Sequence, residues 1–246
     1  MKIRWLGQSA FLIEAAGKKI VIDPWIKNNP LCPLELKELF DVDIILVTHG
    51  HFDHFGDAIE LMSNSRAGMM CDPEISWYMS KYGYVRGERL FPAAQGGTVD
   101  MYGVSVSMVP AIHPSAIYGD EWYGRREWLP NSSAVGFVIT IDKEPVVYHA
   151  GDTALFGDMS LIAKRYCPEV AMLPIGGRFT MDVVDAEEAV GMLRAKYIVP
   201  MHYNTNSELV ADAEKFKTDV ERRYENVDVM LVSPGEELIL NREETV

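Results

Sequence analysis

The N-terminal part of the chain alternates between apolar and polar positions with the short period that is typical of β-strands. Strand-like segments cover residues 2–6, 10–14, 19–23 and 43–47. The Ala16-Gly17 pair indicates a turn between the second and third of these segments, and Thr48 opens a polar loop after the fourth. A pattern with helical spacing follows over residues 56–63. The beginning of the chain therefore predicts several strands followed by a helix.

In the rest of the chain, segments with the strand period alternate with segments that have helical spacing. Strands are predicted over residues 67–71, 99–101, 104–109, 134–141, 145–148, 170–174, 197–200 and 228–232. Helices are predicted over residues 74–81, 160–166, 186–194 and 208–224. Asp185 and Glu188 have the spacing of a capping box, and turns at residues 102–103 and 142–143 indicate hairpins. Hairpins with helices inserted between strands favour an α/β fold of two sheets packed face to face under helices, although periodicity alone leaves the topology open.

Length and composition are those of a globular domain. The chain has 246 residues, of which 48% are hydrophobic and 24% charged, and no repeat, low-complexity tract or Gly/Ser linker divides it. We therefore expect one domain over residues 1–246. No apolar run approaches the roughly 20 residues of a membrane span, and the N-terminus lacks the pattern of a signal peptide. These features predict a cytoplasmic protein without membrane association.

The formal net charge of −13 bears on the partners of the protein. A nucleic-acid-binding protein usually carries a basic stripe that neutralises phosphates, and the sequence shows none. The basic pairs Arg125-Arg126 and Arg222-Arg223 are typical of solvated surface. The charge therefore argues against a nucleic-acid partner, although a locally basic pocket mouth stays compatible with it. The sequence leaves the formation of a homo-oligomer open.

The segment with the most chemical information follows an apolar strand. Its sequence, Thr-His-Gly-His-Phe-Asp-His-Phe-Gly, places three imidazoles and a carboxylate at His49, His51, Asp53 and His54. Imidazole nitrogens bind borderline metals such as zinc, and a carboxylate adds a hard, charged ligand. We expect a turn at Gly50, where glycine permits unusual backbone angles, to bring the first two histidines to one metal. A chance cluster is the alternative, but the chain has only 6 histidines.

The remaining histidines also lie at the ends of apolar strands. His113 and His202 each follow such a strand, and His149 precedes the sequence Ala-Gly-Asp-Thr that contains Asp152. Each histidine alone is typical of a structural residue with satisfied hydrogen bonds. Together with the aspartate, they predict ligands that converge at one edge of the sheets, on loops held by a rigid scaffold.

The motif H-x-H-x-D-H at residues 49–54, followed by His113, the Gly-Asp-Thr sequence at Asp152 and His202, resembles the metallo-β-lactamase superfamily in chain order and spacing. The resemblance covers nearly the whole chain. Three further segments, residues 148–153, 173–181 and 200–205, are similar to the metal-dependent hydrolase group related to ascorbate-6-phosphate lactonase. The resemblance implies an αββα sandwich, with two packed sheets flanked by helices, and a metal-dependent hydrolase activity.

The resemblance also implies two divalent metal ions and divides the ligands between them. It assigns one ion to His49, His51 and His113, the other to Asp53, His54 and His202, and both to Asp152. Zinc is the expected metal, and manganese, iron and nickel also suit mixed His/Asp ligands.

Two residues near these ligands have expected supporting roles. Asp23 resembles the superfamily's carboxylate that orients a ligand histidine through the other nitrogen of its ring. His149 is not one of the usual ligands, and we expect a structural or pocket-lining role for it rather than a metal contact.

Two divalent cations that share a water lower its pKa to about 7, which supplies hydroxide at neutral pH. The cations also polarise an electrophilic oxygen and stabilise the charge of the transition state. Asp53 is the expected catalytic residue, because its carboxylate could orient the hydroxide or carry a proton to the leaving group. The predicted reaction is hydrolysis of an ester, lactone, amide, thioester or phosphoester.

Arg178 and Asn204 are the candidate substrate-binding residues. Arg178 follows two glycines that give backbone access, and a guanidinium binds carboxylate or phosphate in a fork; the alternative is a structural arginine between two loops. Asn204 lies just beyond the last predicted ligand.

Because the acidic chain repels long polyanions, we expect a small anionic substrate. The alternatives are a ribonuclease or phosphodiesterase of the same fold, and a non-catalytic metal-binding protein.

Residues 115–133 form the least regular stretch, which contains Trp122, Tyr123, Trp128 and two arginines. The stretch is either a loop over the pocket or a surface excursion pinned by its aromatic residues, and the sequence leaves both interpretations open. As a loop over the pocket, it would close over a compact ligand and obstruct a nucleic-acid duplex.

Overall fold

Two seven-stranded sheets organise the computed structural model, which describes residues 1–82, 84–117, 129–130 and 133–242. The strands of the first sheet are β1 (Lys2–Trp5), β2 (Phe11–Ala15), β3 (Lys18–Ile22), β4 (Ile44–Leu46), β5 (Gly68–Cys71), β6 (Leu90–Pro92) and β16 (Glu237–Ile239). Their spatial order is β16-β1-β2-β3-β4-β5-β6. The pairs from β16 to β3 are antiparallel, and the pairs from β3 to β6 are parallel.

The second sheet has the same mixed design. Its strands are β7 (Thr98–Met101), β8 (Val104–Pro110), β11 (Val135–Thr140), β12 (Val147–His149), β13 (Val170–Pro174), β14 (Tyr197–Met201) and β15 (Asp228–Val229). Their order is β15-β14-β13-β12-β11-β8-β7, antiparallel from β7 to β12 and parallel from β12 to β15. A two-stranded ribbon joins β9 (Ala116–Ile117) to β10 (Leu129–Pro130).

Helices lie between the strands in chain order. They are α1 (Phe52–Phe55), α2 (Ala58–Asn64), α3 (Pro73–Lys81), α4 (Met159–Tyr166), α5 (Val183–Leu193) and α6 (Ala213–Arg223), with 3-10 turns at Leu36–Leu39 and Gly87–Arg89. The side chain of Asp72 begins α3 by accepting two backbone N–H bonds, and Asp182 begins α5 in the same way. None of the helices in the described residues is long and apolar enough to cross a bilayer.

The two faces of the first sheet pack against different partners, as the two-residue period of a strand requires. On β2, Phe11 and Ile13 belong to the cluster that joins the two sheets, which includes Phe137 of β11. Leu12, between them, belongs to a second cluster with Leu61 of α2 and other residues on the outer face. Helices α4, α5 and α6 contribute buried residues on the side of the second sheet. Two mixed sheets flanked by helices confirm the predicted αββα sandwich.

Several predicted boundaries differ from the structure. The helix expected over residues 208–224 begins only after Asp212, whose side chain accepts the N–H of Lys215 and fixes the helix start there. The helix expected from residue 186 begins earlier, because Asp182 rather than Asp185 caps it. Four short strands, β6, β9, β10 and β16, were not predicted. Most of residues 115–133 lie outside the described residues, so the loop hypothesis stays a prediction.

Candidate metal centre

The histidine-rich motif lies on the loop that leaves the first sheet after β4 and turns into α1. His51 occupies the position before the helix, and Asp53 and His54 lie within it. Gly50 passes so close to strand β9 of the two-stranded ribbon that a Cβ atom would lie 2.9 Å from the carbonyl oxygen of Ala116. Its φ does not lie in the left-handed region, so glycine is required here for close approach rather than for the unusual turn that the sequence predicted.

Three imidazoles form the first group of potential ligands, the three-histidine group. The Nε2 atom of His49 lies 2.9 Å from Nδ1 of His51, and Nε2 of His113 lies 3.3 Å from the same atom. The first two come from the motif loop, and the third follows β8 of the second sheet. Their ligand atoms lie within 4.8 Å of one another, which is close enough to surround one metal ion.

Asp53, His54 and His202 form the second group, the mixed group. The Oδ2 atom of Asp53 lies 3.6 Å from Nε2 of His54 and 3.5 Å from Nε2 of His202. His202 follows β14, so this group also joins the two sheets. Asp152, after β12, lies between the groups: its Oδ2 is 3.1 Å from His202 and 3.6 Å from the Nε2 atom of His113.

The chemistry of these donors fits transition-metal ions. Imidazole nitrogens and carboxylate oxygens converge on a small volume, and four of the seven side chains are buried, namely His49, His54, Asp152 and His202. Within the described part of the chain, the buried atoms His54 Nε2 and Asp152 Oδ1 have no hydrogen-bond partner. A buried polar atom without a partner is costly, and coordination of a metal ion would satisfy both atoms.

A buried carboxylate holds the motif loop in place. Asp23, directly after β3, accepts hydrogen bonds from the backbone N–H of Thr48 at 2.8 Å and from its hydroxyl at 2.7 Å. The Nδ1–H of His54 donates to the same carboxylate at 2.7 Å. This bond directs Nε2 of that histidine toward the centre, as expected from the sequence, because a histidine ligand is oriented by the partner of its other nitrogen.

Gln8 supports the other side of the centre, and the sequence analysis did not identify it. Its Nε2 lies 2.7 Å from Oδ2 of Asp53 and 2.7 Å from Nε2 of His202, while its Oε1 accepts a hydrogen bond from the hydroxyl of Thr205. Its backbone has a φ of 52°, a left-handed conformation that is uncommon outside glycine. Its position in the sequence could have suggested this role, because Gln8 is a polar residue just beyond a strand, at the edge of the sheet where the predicted ligands lie.

The imidazoles of the three-histidine group are neutral in the metal-free protein. Burial lowers the pKa of His49 well below its usual value and that of His51 to about 4, and the neighbouring histidines add to this effect. Burial also lowers the pKa of His113. Neutral imidazole is the form that binds a metal, so this group is ready for coordination near neutral pH.

The mixed group has the opposite electrostatics. Burial opposes charge on His54 and His202, but the carboxylates of Asp152 and Asp53 outweigh it and raise the pKa of His54 well above its usual value and that of His202 to about 9. Burial likewise opposes charge on Asp53, yet the two imidazoles lower the pKa of its carboxyl to about 2. The metal-free mixed group therefore holds protonated imidazoles beside ionised carboxylates at neutral pH.

His149 lies close to the centre but both of its ring nitrogens have partners. Its Nδ1 accepts the backbone N–H of Gly151 at 3.1 Å, so Nε2 carries the proton and donates to the carbonyl of Ser9 at 3.0 Å. These bonds link the loop after β12 to the loop after β1, which is a structural role rather than a metal contact.

The two candidate substrate-binding residues lie outside the wall of the central cavity. The side chain of Arg178 is 58% exposed and forms an ion pair with Glu208 at 3.0 Å. The carboxamide of Asn204 binds the backbone of Ala211, donating at 3.1 Å and accepting at 3.0 Å. The structure therefore brings the seven predicted ligands together but does not bring these two residues to them.

The centre opens into a cavity of about 280 Å³. Five of the seven predicted ligands contribute to its wall, namely His51, Asp53, His113, Asp152 and His202. The wall also includes Gln8, Glu208 and a set of apolar side chains, among them Trp25 and Phe179. A compact organic molecule would therefore reach the candidate metal centre directly.

Comparisons with known proteins agree with this geometry. Residues 2–202 match the family model described as the β-lactamase superfamily domain. A protein described as a UPF0173 metal-dependent hydrolase from Methanosarcina barkeri is 41% identical over 240 residues, which cover 98% of this chain and 99% of that protein. A protein with the same description from Methanopyrus kandleri is 40% identical, with coverage of 96% and 98%.

Solved structures give the same result for the fold. The structure of Igni18, described as a metallo hydrolase from the archaeon Ignicoccus hospitalis, matches with a TM-score of 0.85 at 35% identity and covers 98% of this chain and 99% of that chain. An isothiocyanate hydrolase from Delia radicum gut bacteria matches with a TM-score of 0.76 at 18% identity, with coverage of 98% and 99%, and shows likeness of fold alone. The chain belongs to the β-lactamase superfamily, and it is a metal-dependent hydrolase similar to the UPF0173 proteins.

Proposed function

We propose that the protein binds two divalent metal ions, one at each ligand group, and uses them to hydrolyse a small ester, lactone or phosphoester. The observation that carries the proposal is the position of Asp152. Its carboxylate lies within 3.6 Å of ligand atoms from both groups, which is the position of a residue that bridges two ions. The three-histidine group and the mixed group share no residue, so each could hold one ion.

When bound, divalent cations acidify a water molecule and polarise the oxygen of the bond that is cleaved. The protein's own residues then have separate tasks. Asp23 holds His54 through its Nδ1–H, which keeps Nε2 directed at the centre. Gln8 donates to Oδ2 of Asp53 and thereby fixes the orientation of that carboxylate. The fixed carboxylate supports the positioning that an efficient reaction requires.

Asp53 is the proposed catalytic residue, because it combines a ligand position with access to the cavity. Its side chain keeps 14% of its surface exposed, whereas that of His54 beside it is fully buried. The carboxylate could accept a proton from the attacking water and release it to the leaving group. Among the described residues of the cavity wall, the carboxylates in ligand positions are Asp53 and Asp152, and Asp152 is engaged by the histidines of both groups.

The size of the cavity favours a small molecule over a polymer. A volume of about 280 Å³ is at the lower end of the range for small-ligand sites. The net charge of −13 adds long-range repulsion for a nucleic acid. A ribonuclease or phosphodiesterase of the same fold therefore remains the second candidate.

Elemental analysis and a substrate panel test the proposal together. We expect near two equivalents of transition metal per chain after gentle purification, with zinc as the expected metal and manganese, iron or nickel as alternatives. Removal of the metal should abolish hydrolysis of small esters and lactones, and its return should restore it. A fully active protein with one ion that does not respond to added metal would contradict the two-ion mechanism. Faster cleavage of structured RNA than of every small substrate would favour the nuclease.

A further inference from the structure

We infer that the substrate is uncharged and presents a compact apolar group to the wall of the cavity, rather than being the small anion that the sequence predicts. This inference rests on the proposed hydrolytic function, and it names the substrate class of the same site. It follows from two independent features of the described cavity wall, which are its apolar surface and the arrangement of its charges.

Three aromatic residues contribute to the apolar surface of the cavity wall. Trp25 packs edge-on against Phe52, with ring centroids 5.5 Å apart, and both rings contribute to the wall together with Leu209. Phe179 completes this surface and is 52% exposed. Burial of an exposed aromatic face by a ligand is favourable in proportion to the apolar area covered. The wall can therefore bind an aryl or alkyl group but offers little to a hydrated anion.

Outside the ligand set and the metal ions that it would hold, the charges of the wall do not favour an anion. Among the described residues of the wall, Glu208 is the ionisable side chain that lies outside the ligand set, and it carries negative charge. Arg178, the residue expected to bind an anionic substrate, forms an ion pair with that carboxylate at 3.0 Å instead. A paired guanidinium attracts a second anion less than a free one does, because the partner carboxylate offsets its charge. The pair of Arg178 and Glu208 beside Phe179 therefore has no net charge.

The wall does provide a donor for a neutral polar group. Asn206 lies in the wall, and its Oδ1 accepts the backbone N–H of Glu208 at 2.8 Å, so Nδ2 is the donor that its side chain can offer. An amide N–H can donate to the carbonyl oxygen of an ester or lactone without requiring negative charge on the substrate. The described wall therefore matches a carbonyl compound with one apolar arm.

A matched pair of lactones tests the inference. γ-Phenyl-γ-butyrolactone and its para-carboxylate share the same scissile bond and differ only in a charge remote from it. With the metal-loaded protein, we expect kcat/KM to be about tenfold higher for the neutral lactone. An equal or higher kcat/KM for the carboxylate would overturn the inference and would restore the anionic substrate.

Substitution of the apolar wall provides the second arm. We expect Phe179→Ala to lower kcat/KM for the phenyl lactone by about tenfold, mainly through a higher KM, because uniform binding is lost. Val184→Ala is the matched control, since Val184 is also an apolar residue, 64% exposed, and it is not part of the described cavity wall. The control should leave both constants unchanged. Equal kinetics for the two variants would show that the apolar wall does not bind the substrate.

Substitution of the ion pair provides the third arm. Glu208→Gln would leave the guanidinium without its partner, so we expect kcat/KM for the carboxylated lactone to rise about tenfold relative to the neutral one. Arg178→Gln would expose Glu208 and should change this ratio in the opposite direction. If neither variant moves the ratio, the ion pair does not control the charge of the substrate.

The outcomes for the inference and for the proposed function are distinct. Metal-dependent hydrolysis that prefers the carboxylated lactone would leave the hydrolytic function intact and overturn only the substrate class. Absence of metal-dependent hydrolysis for both lactones and for matched aryl esters and phosphoesters would instead contradict the proposed function.

Discussion

The two ligand groups of the centre lie side by side but differ in their charge and in their support. The three-histidine group consists of neutral imidazoles, two of which are only partly buried. The mixed group pairs protonated His54 and His202 with ionised carboxylates, and it is held by Asp23 on one side and Gln8 on the other.

The comparison separates two ways to prepare a metal site. Neutral imidazoles are already in the form that coordinates a metal, so no proton has to leave the three-histidine group before a metal ion binds there. In the mixed group, the protons on the imidazoles balance the negative charge of the carboxylates. A metal ion that binds there displaces these protons. The first site is therefore prepared by desolvation and the second by charge balance, and the two should respond differently to mutation and to pH.

Loss of Asp152 should have the largest effect, because this residue belongs to both groups. We expect Asp152→Ala to reduce the metal content to below one equivalent and to lower kcat/KM by about 10³-fold or more. Elemental analysis and kinetics of the same preparation would measure both. Asp142→Ala, at an exposed turn, is the control. Retention of both metals by the Asp152 variant would refute the bridging role.

Loss of Asp53 should affect the mixed group alone. We expect Asp53→Ala to keep the metal of the three-histidine group, to weaken the second, and to lower kcat/KM by about 10² to 10³-fold. His149→Ala serves as the comparison, because this buried histidine has no ligand role in the proposed site. We expect it to lower thermal stability but to reduce the activity of the folded, metal-loaded protein less. The reverse ranking of the two activities would show that these assignments are wrong.

Metal binding should release protons from the mixed group but not from the three-histidine group. At pH 7.5 the pKa of His202, raised to about 9, and the raised pKa of His54 keep both imidazoles protonated without metal. We expect release of about two protons with the ion of the mixed group and none with the other. Calorimetry in buffers of different ionisation enthalpy would measure this difference. Equal proton release at both sites would contradict the comparison.

The raised pKa of His202 also determines how the thermal stability of the metal-free protein depends on pH. The raised pKa of His202 stabilises the folded protein fully below about pH 6.5, the unfolded value, and this contribution is lost as the pH rises through about 9. The metal-free protein should therefore lose thermal stability between these pH values. The metal-loaded protein should not, because the ligands are then deprotonated throughout. Melting curves of both forms at several pH values would show whether only the metal-free protein becomes less stable as the pH rises.

The two supporting residues should differ in the size of their effects. Asp23→Ala leaves the buried donors of Thr48 and His54 without an acceptor, so we expect a loss of about 3 kcal/mol in the free energy of unfolding and about 10 to 100-fold weaker metal binding. Gln8→Ala removes fewer buried bonds and should weaken metal binding by about tenfold.

Thr205→Val tests the orientation of Gln8 with the smallest change. The variant removes the hydroxyl that fixes Oε1 and lets the amide rotate, so a loss of about threefold in kcat/KM is expected, with metal content unchanged. Ser233→Val, at a residue outside the described cavity wall, is the control. A larger loss in the Thr205 variant than in Gln8→Ala would show that the amide does not act through this bond.

Much of the mixed group and of the three-histidine group was predictable from the sequence. Four of the ligands lie within six residues, after a strand, and this spacing has a direct chemical meaning. The strands themselves follow from apolar periodicity, because each residue on a strand faces either the core or the outside. Periodicity favoured two packed sheets under helices but left the topology open, and the αββα sandwich was predicted from the resemblance to the metallo-β-lactamase superfamily.

Other features depended on contacts between distant parts of the chain. Gln8 meets His202 across 194 positions, and no local pattern distinguishes it from an ordinary polar residue in a turn. Helix α6 begins later than predicted because Asp212 caps it. The prediction placed the start at residue 208 because the apolar spacing already begins in the preceding loop. Arg178 has the flanking glycines of a substrate contact, but the position of Glu208 decides what it binds.

The sequence by itself determined which chemistry is available, because residue types and their spacing along strands and loops are local properties. The tertiary structure decided which of these residues meet, which imidazoles carry protons, and which charges are already paired. Those properties depend on burial and on distances between atoms far apart in the chain, since desolvation and Coulomb interactions act through space rather than along the sequence.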